Sequence, residues 1–269
     1  MSYSVIDGLV YISCVIDVGG VTQLHNVVYI VCRQSSTILR FNATTHRRLT
    51  DIDIKDLRLP EDIVACEQTS QLYVADRWKG VWRVSADGAD IKLWWSKYSI
   101  DKFTPYRLSV TSTRLLVTSG NAKQLMQLDS LGVELRRVQL PYYMEPEHAV
   151  ESPTATFIFS HYNTQLKKHQ ISEVNTDGQE LRQFTGSHLS PPAIPPHIAI
   201  DSHGNVFVAD FRNRRILLLD AQLRVRRLII DEHQLNDNRP HRLCYREQTG
   251  QLLVGFYDNK VAVFDVLCR

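Results

Sequence analysis

Cysteine is sparse and unpatterned in this chain. Cys14, Cys32, Cys66, Cys244 and Cys268 are odd in number, scattered, and never form a CxxC pair. That spacing points away from a zinc knuckle and towards reduced, buried, intracellular thiols. No apolar run approaches the roughly 20 residues of a membrane span, so no membrane partner is expected. The opening residues, "MSYSVIDGLVYISCVIDVGG", show neither a basic segment nor a small-residue cleavage site. No signal peptide is expected, and the cytoplasm is the expected compartment. Charge of one sign is also missing. A formal net charge of +2 over 269 residues cannot by itself attract nucleic acid, so a nucleic-acid site would need a local patch. There is no GxSxG, HExxH, P-loop or dinucleotide fingerprint, and "SGNAK" (119–123) is too short to cradle a phosphate. No catalytic residue, no cofactor and no enzyme activity are expected.

What the chain does have is a repeat. "VFVADFRNRRILLLD" (206–220) is an apolar strand, a polar turn and a second apolar strand. "LYVADRWKGVWRVSADG" (72–88) follows the same frame. So do the stretches starting at Val28, Leu115, Phe157 and Leu252. A shorter apolar run precedes each, and five of these open with proline: Pro60, Pro105, Pro146, Pro196 and Pro240. A period of about 45 residues with several short strands per unit, and no helical periodicity, indicates a propeller blade. The expected fold is therefore all-β, a six-bladed β-propeller in one domain. The predicted blades span 16–57, 58–102, 103–143, 144–193, 194–237, and 238–269 plus 2–13. The last copy stops after its third strand, while "SYSVIDGLVYIS" (2–13) is spare strand-like sequence. Pairing the two removes two open sheet edges, so the N-terminal strand is expected to complete the last blade.

The repeats resemble the NHL family. The resemblance is carried by "VFVADFRNRRILLLD", with Asp210, Asn213, Arg215 and Asp220, by "PHIAID" and "HGN", and by Asp76 and Val81 of the second unit. The other four units carry Cys32, Ser119, His161 and Phe256 where the aspartate would stand. The resemblance implies a six-bladed propeller in which the motif's Asp and Arg tie the second strand to the start of the third. It also implies a protein-binding or RNA-binding role, often at the end of tripartite-motif ubiquitin ligases. These 269 residues contain no RING or B-box array of Cys and His, so no ligase activity resides in them. Related propellers include enzymes, among them the peptidyl-amidating lyase and strictosidine-synthase-like proteins.

Two groups of residues are candidates for function. His197 and His241 each follow a blade-entry proline, and His148 comes one residue later after Pro146. All three are expected at the mouth of the central channel. The lyase resemblance raises zinc, because three converging imidazoles could hold it with an open fourth position. Strand alternation, however, should turn His148 to the opposite face. The expectation is a hydrated polar mouth with no metal.

The second group lies in the loops joining second to third strands, with the loops that precede each inner strand. These supply Arg33, Arg77, Trp78, Lys79, Lys123, Tyr162, Arg212, Arg214, Tyr257 and Lys260, then Tyr106, Arg107 and Arg242. The turns expected on the other face carry acids such as Asp87, Asp129, Glu180 and Glu247. One face thus reads as basic and aromatic. That chemistry serves protein hot spots and single-stranded RNA alike. The expected function is a monomeric, non-catalytic recognition or scaffold module binding a protein partner. The alternatives are a single-stranded RNA-binding NHL domain, as the tail of a tripartite-motif-type ligase, and a lyase or hydrolase with a His-lined channel.

Overall fold

Alternating apolar residues in runs of five to seven, closed by turn residues, give antiparallel strands that bury both faces. A computed structural model shows this arrangement. It describes residues 3–6, 12–13, 17–96, 103–111, 113–184, 195–257 and 259–268, and every regular element among them is a strand. The strands form six antiparallel four-stranded blades of a β-propeller. In each of the first five blades, consecutive strands pair in chain order. Blade 2, for example, runs Pro60–Cys66, Gln71–Asp76, Gly80–Ser85 and Ile91–Ser96. Among the described residues, no helix is long and apolar enough to cross a membrane.

The chain divides into two compact units. Cys14–Leu140 holds blades 1 to 3, and Met1–Ser13 with Pro141–Arg269 holds blades 4 to 6. In the first unit, one apolar cluster joins blades 1 and 2 through Leu24, Tyr29, Ile63, Val74 and Trp82. A second joins blades 2 and 3 through Tyr73, Val81, Leu108, Val117 and Met126. In the second unit, Ile158, Ile198, Val208 and Leu217 bind blade 4 to blade 5. Phe207, Leu218, Leu243, Val254 and Phe264 bind blade 5 to blade 6. Burying each such side chain contributes about 1.5–3 kcal/mol, so successive blades are held together by their faces.

The last blade is completed from the N-terminus. Tyr3–Ile6 pairs antiparallel with Lys260–Cys268, with Val5 opposite Val266, and Ile12–Ser13 pairs further along the same strand, with Ile12 opposite Val261. This is the expected closure. Residues 7–11 of the closing segment lie outside the described residues, as does Cys14. Cys32 and Cys66 are buried free thiols, and Cys244 is a half-buried one.

Candidate partner-binding surface

The motif aspartates make structural hydrogen bonds: Asp210 reaches the start of the third strand at Arg215, whereas Asp76 holds the connector before the inner strand and the turn after its own. Asp76 is fully buried, and its carboxylate accepts the backbone N–H of Arg58, Leu59 and Trp78 (3.0, 3.3 and 2.9 Å). Asp210 accepts from Arg215 Nε at 2.8 Å and from the Asn213 amide. In blade 4 the strand runs two residues past His161. There Asn163 takes over the turn-capping role, accepting the N–H of Gln165 and Leu166.

The inner strands correct the histidine reading. In blades 1, 2, 4 and 6 the register slips by one residue between Val18 and Gly20, Pro60 and Asp62, Pro146 and His148, and Pro240 and Arg242. Each slip is a β-bulge, and the extra residue reverses which face the following side chains occupy. The residues that start the paired inner strand are therefore Gly20, Asp62 and Arg107 in the first unit. In the second unit they are His148 and Arg242, with His197 opposite Ala209, whose N–H it accepts at 2.9 Å.

His148 is thus in frame with His197, contrary to expectation. Both rings are buried and stacked, with centroids 3.7 Å apart and 21° between planes. His241 is the one out of frame. It sits in the bulge, packed edge-on against Phe211 and Tyr257 at 6.3 and 6.0 Å. His197 Nδ1 accepts the Leu243 N–H at 3.2 Å, and Asp62 does the same for Leu108 at 3.0 Å. Each side chain thereby links its own inner strand to that of the next blade.

The same frame removes two residues from the expected basic face. Arg107 and Arg242 are 0% and 1% exposed, because they occupy the inner positions equivalent to Asp62 and His197. They are interior cations rather than surface ones.

Two of the remaining loop residues of the first unit, Arg33 and Arg77, meet the interior Arg107 at one carboxylate. Glu61, the bulge residue of blade 2, is buried. It lies 3.1 Å from Arg33 Nη2, 3.7 Å from Arg77 Nη1 and 3.6 Å from Arg107 Nη1. Arg107 Nη1 also donates to the Glu61 backbone carbonyl. The Tyr106 ring lies under two of these cations, with Arg107 Cζ at 4.1 Å and Arg77 Cζ at 5.9 Å from its centroid. Trp78 is 61% exposed beside Arg77, and Lys79 follows in the same turn. Lys123 occupies the left-handed position, φ 51°, of the corresponding turn in blade 3. Sequence reasoning missed Glu61. The available signal was an acid directly after a blade-entry proline, in a unit rich in loop arginines.

In the second unit, Tyr257 is half exposed over Phe211 and His241, and Arg239 lies over Phe211 with Cζ at 5.4 Å. Arg214 pairs with Asp237 at 2.9 Å, and Lys260 donates to Asn238 at 3.1 Å. The connector before blade 6 therefore offsets part of the positive charge expected there. Arg212 is exposed, and Tyr162 packs on His169 at 5.3 Å.

Fold and surface together define a six-bladed propeller with polar, aromatic-bearing loops. No family model matches the chain. No curated protein matches it by sequence. Solved structures share the fold. A chain of Kuenenia stuttgartiensis hydrazine synthase matches with TM-score 0.66 at 11% identity, covering 91% of this chain and 82% of that one. Staphylococcus aureus virginiamycin B lyase, solved as a catalytically inactive variant with quinupristin, matches with TM-score 0.65 at 12% identity, covering 97% and 99%. A chain of a nidogen/laminin complex matches with TM-score 0.62 at 16% identity, covering 80% of each. These neighbours include enzymes and a protein–protein complex. At such identities the likeness is one of fold, and a fold hosts many functions.

Proposed function

We propose that this chain is a non-catalytic recognition module that binds a protein partner through its second-to-third-strand loops, with Trp78 as the anchor. One observation carries the reading. An indole 61% exposed stands on a turn whose backbone is fixed by the fully buried Asp76 carboxylate. Holding an exposed tryptophan in a preset turn lowers the ordering cost of binding. Tryptophan, tyrosine and arginine are the residues that dominate interface energetics, and Arg77 and Tyr106 lie in the same cluster. A chain of the nidogen/laminin complex has the same fold, which is compatible with the reading.

The test is capture of a partner on immobilised protein. The parent retains a protein that Trp78→Ala retains weakly, a loss of about 2 kcal/mol or more for a hot-spot residue. Asp87→Lys, on the opposite turns, leaves capture unchanged. Retention of single-stranded RNA instead of protein, falling steeply with salt as counterion release requires, would give the RNA reading the site.

A further inference from the structure

We infer that the outer edge of blade 3 is a second protein-binding surface, one that takes up an extended segment of a partner as an added strand. It is separate from the Trp78 loops. The edge begins at a turn that three blades build alike. Asp129 accepts the N–H of Leu131 and Val133 at 2.8 and 2.9 Å. Asn175 accepts those of Asp177 and Gln179 at 3.0 and 2.9 Å. Asp220 accepts those of Gln222 and Arg224, both at 2.9 Å. Blades 4 and 5 thus fill the two exposed positions of this turn with polar side chains. Blade 3 fills them with Leu131 and Val133, 79% and 57% exposed, and Leu135, 51% exposed, follows at the same spacing. The turn itself requires no apolar residue there. Apolar side chains left in water, at a turn that forms equally well with polar ones, point to a partner that covers them.

The strand that follows has an open edge. Glu134–Gln139 ends the sheet of blade 3, and its outer side pairs with no strand among the described residues. After a bulge at Leu135, Arg136 to Gln139 pair regularly with Gln127 to Gln124. The Leu140 N–H donates to the Lys123 carbonyl at 3.0 Å. Leu140 and Val138 therefore turn their backbone groups inward, and alternation turns those of Arg137 and Gln139 outward. Such a row of outward N–H and C=O groups is a template for one more strand. Charge selects the occupant. Glu134 holds Arg137 through two hydrogen bonds, at 3.0 and 2.6 Å. Arg136 is exposed and pairs with no carboxylate among the described residues. A second copy of this chain fits poorly, because a twofold pairing centred on Arg136 or Arg137 sets an arginine opposite itself, and like charges directly opposite destabilise. The added strand is one from a different protein. It carries apolar residues to meet Leu131, Val133 and Leu135, and an Asp or Glu to meet Arg136.

The experiment selects binders from a random peptide library displayed on phage, using the immobilised full chain. Selected peptides are then synthesised with a fluorescent label. The expected result is a set of peptides with alternating apolar residues and at least one Asp or Glu. Leu131→Asp combined with Val133→Gln installs the residues that blade 4 carries in its own copy of the turn. That double variant should fold and should weaken these peptides about tenfold or more, the scale of one buried apolar side chain. Arg136→Gln should remove the advantage of an acidic peptide over its Asn or Gln counterpart. N-methylation of alternate peptide amides should abolish binding in one phase and spare it in the other, and that arm needs no variant of the protein. Trp78→Ala should leave these peptides bound. A selection in which no peptide responds to the double variant would overturn the edge surface, and peptides lost instead with Trp78→Ala would leave the loop reading standing. Binding indifferent to N-methylation in both phases would overturn strand addition. A dimer of the parent in sedimentation, dissociated by the double variant, would give the edge to a second copy and overturn the inference as well.

Discussion

His161 should make the stability of this protein fall between pH 6.5 and 4, and replacing it should remove that slope. The ring is fully buried in blade 4, and Nε2 lies 2.9 Å from Ser172 Oγ. Ser172 has one hydroxyl proton, which it donates to Glu180 Oε1 at 2.8 Å. Ser172 Oγ must therefore accept from His161, which fixes the neutral tautomer protonated on Nε2. Burial pushes the imidazole pKa down from 6.5 to about 4; a backbone hydrogen bond at Tyr162 acts the other way, and neighbouring His169 pushes down again.

The sign follows directly. Above pH 6.5 neither the folded nor the unfolded state holds the extra proton, and the contribution is intact. As pH falls, the unfolded chain binds the proton first, so stability is lost until the folded state protonates near 4. The full loss is about 3 kcal/mol from a shift of this size at 1.36 kcal/mol per unit, and about 2 kcal/mol of it is gone by pH 5. Urea unfolding of the parent and of His161→Gln at pH 7 and pH 5 isolates the group, because all other titrating residues are shared. The variant is less stable at pH 7 but should lose about 2 kcal/mol less than the parent on going to pH 5. Equal losses in the two proteins would refute the assignment of a buried neutral imidazole.

Two further expectations concern how blades are joined. Removing residues 1–13 strips the paired strands from Lys260–Cys268. The deletion variant should aggregate or lose its cooperative melt, as an uncovered strand edge does; a melt like the parent's would show that the pairing contributes nothing. Gly20→Ala should destabilise by about 2 kcal/mol, in the range of overpacked sites. A Cβ there would stand 2.5 Å from Asp62 Oδ1 and 2.6 Å from the Ile63 nitrogen. Denaturant midpoints compare the two proteins, and an unchanged midpoint would mean that the inner strands of blades 1 and 2 can separate without cost.

The blades were legible in the sequence because their signals are local and repeated. Proline entry, period-two alternation and turn residues each depend on a few neighbours, and repetition lets one blade correct another. The closing strand was legible for a related reason, since a last copy short of one strand and a spare strand-like segment point to each other. The side-chain register at the head of each inner strand was not legible. A bulge adds one residue without any consistent mark in the sequence: Gly19, Glu61, Glu147 and His241 are a glycine, two glutamates and a histidine. One residue is enough to exchange the two faces of a strand. Counting from proline therefore set His241 beside His197 and excluded His148, whereas the structure stacks His148 on His197 and places His241 against Tyr257. The same slip explains why Arg242, counted as a surface cation, is interior, and why Glu61 faces the loop arginines; Arg107 takes the equivalent position at the start of the blade 3 inner strand. The sequence supplies the chemistry of the candidate surface, but the bulges decide which of those residues meet. A charge census of the loops would treat Arg107 as one more cation on a basic face. The register makes it the buried support of Glu61, and so turns a diffuse patch into a site with a defined geometry.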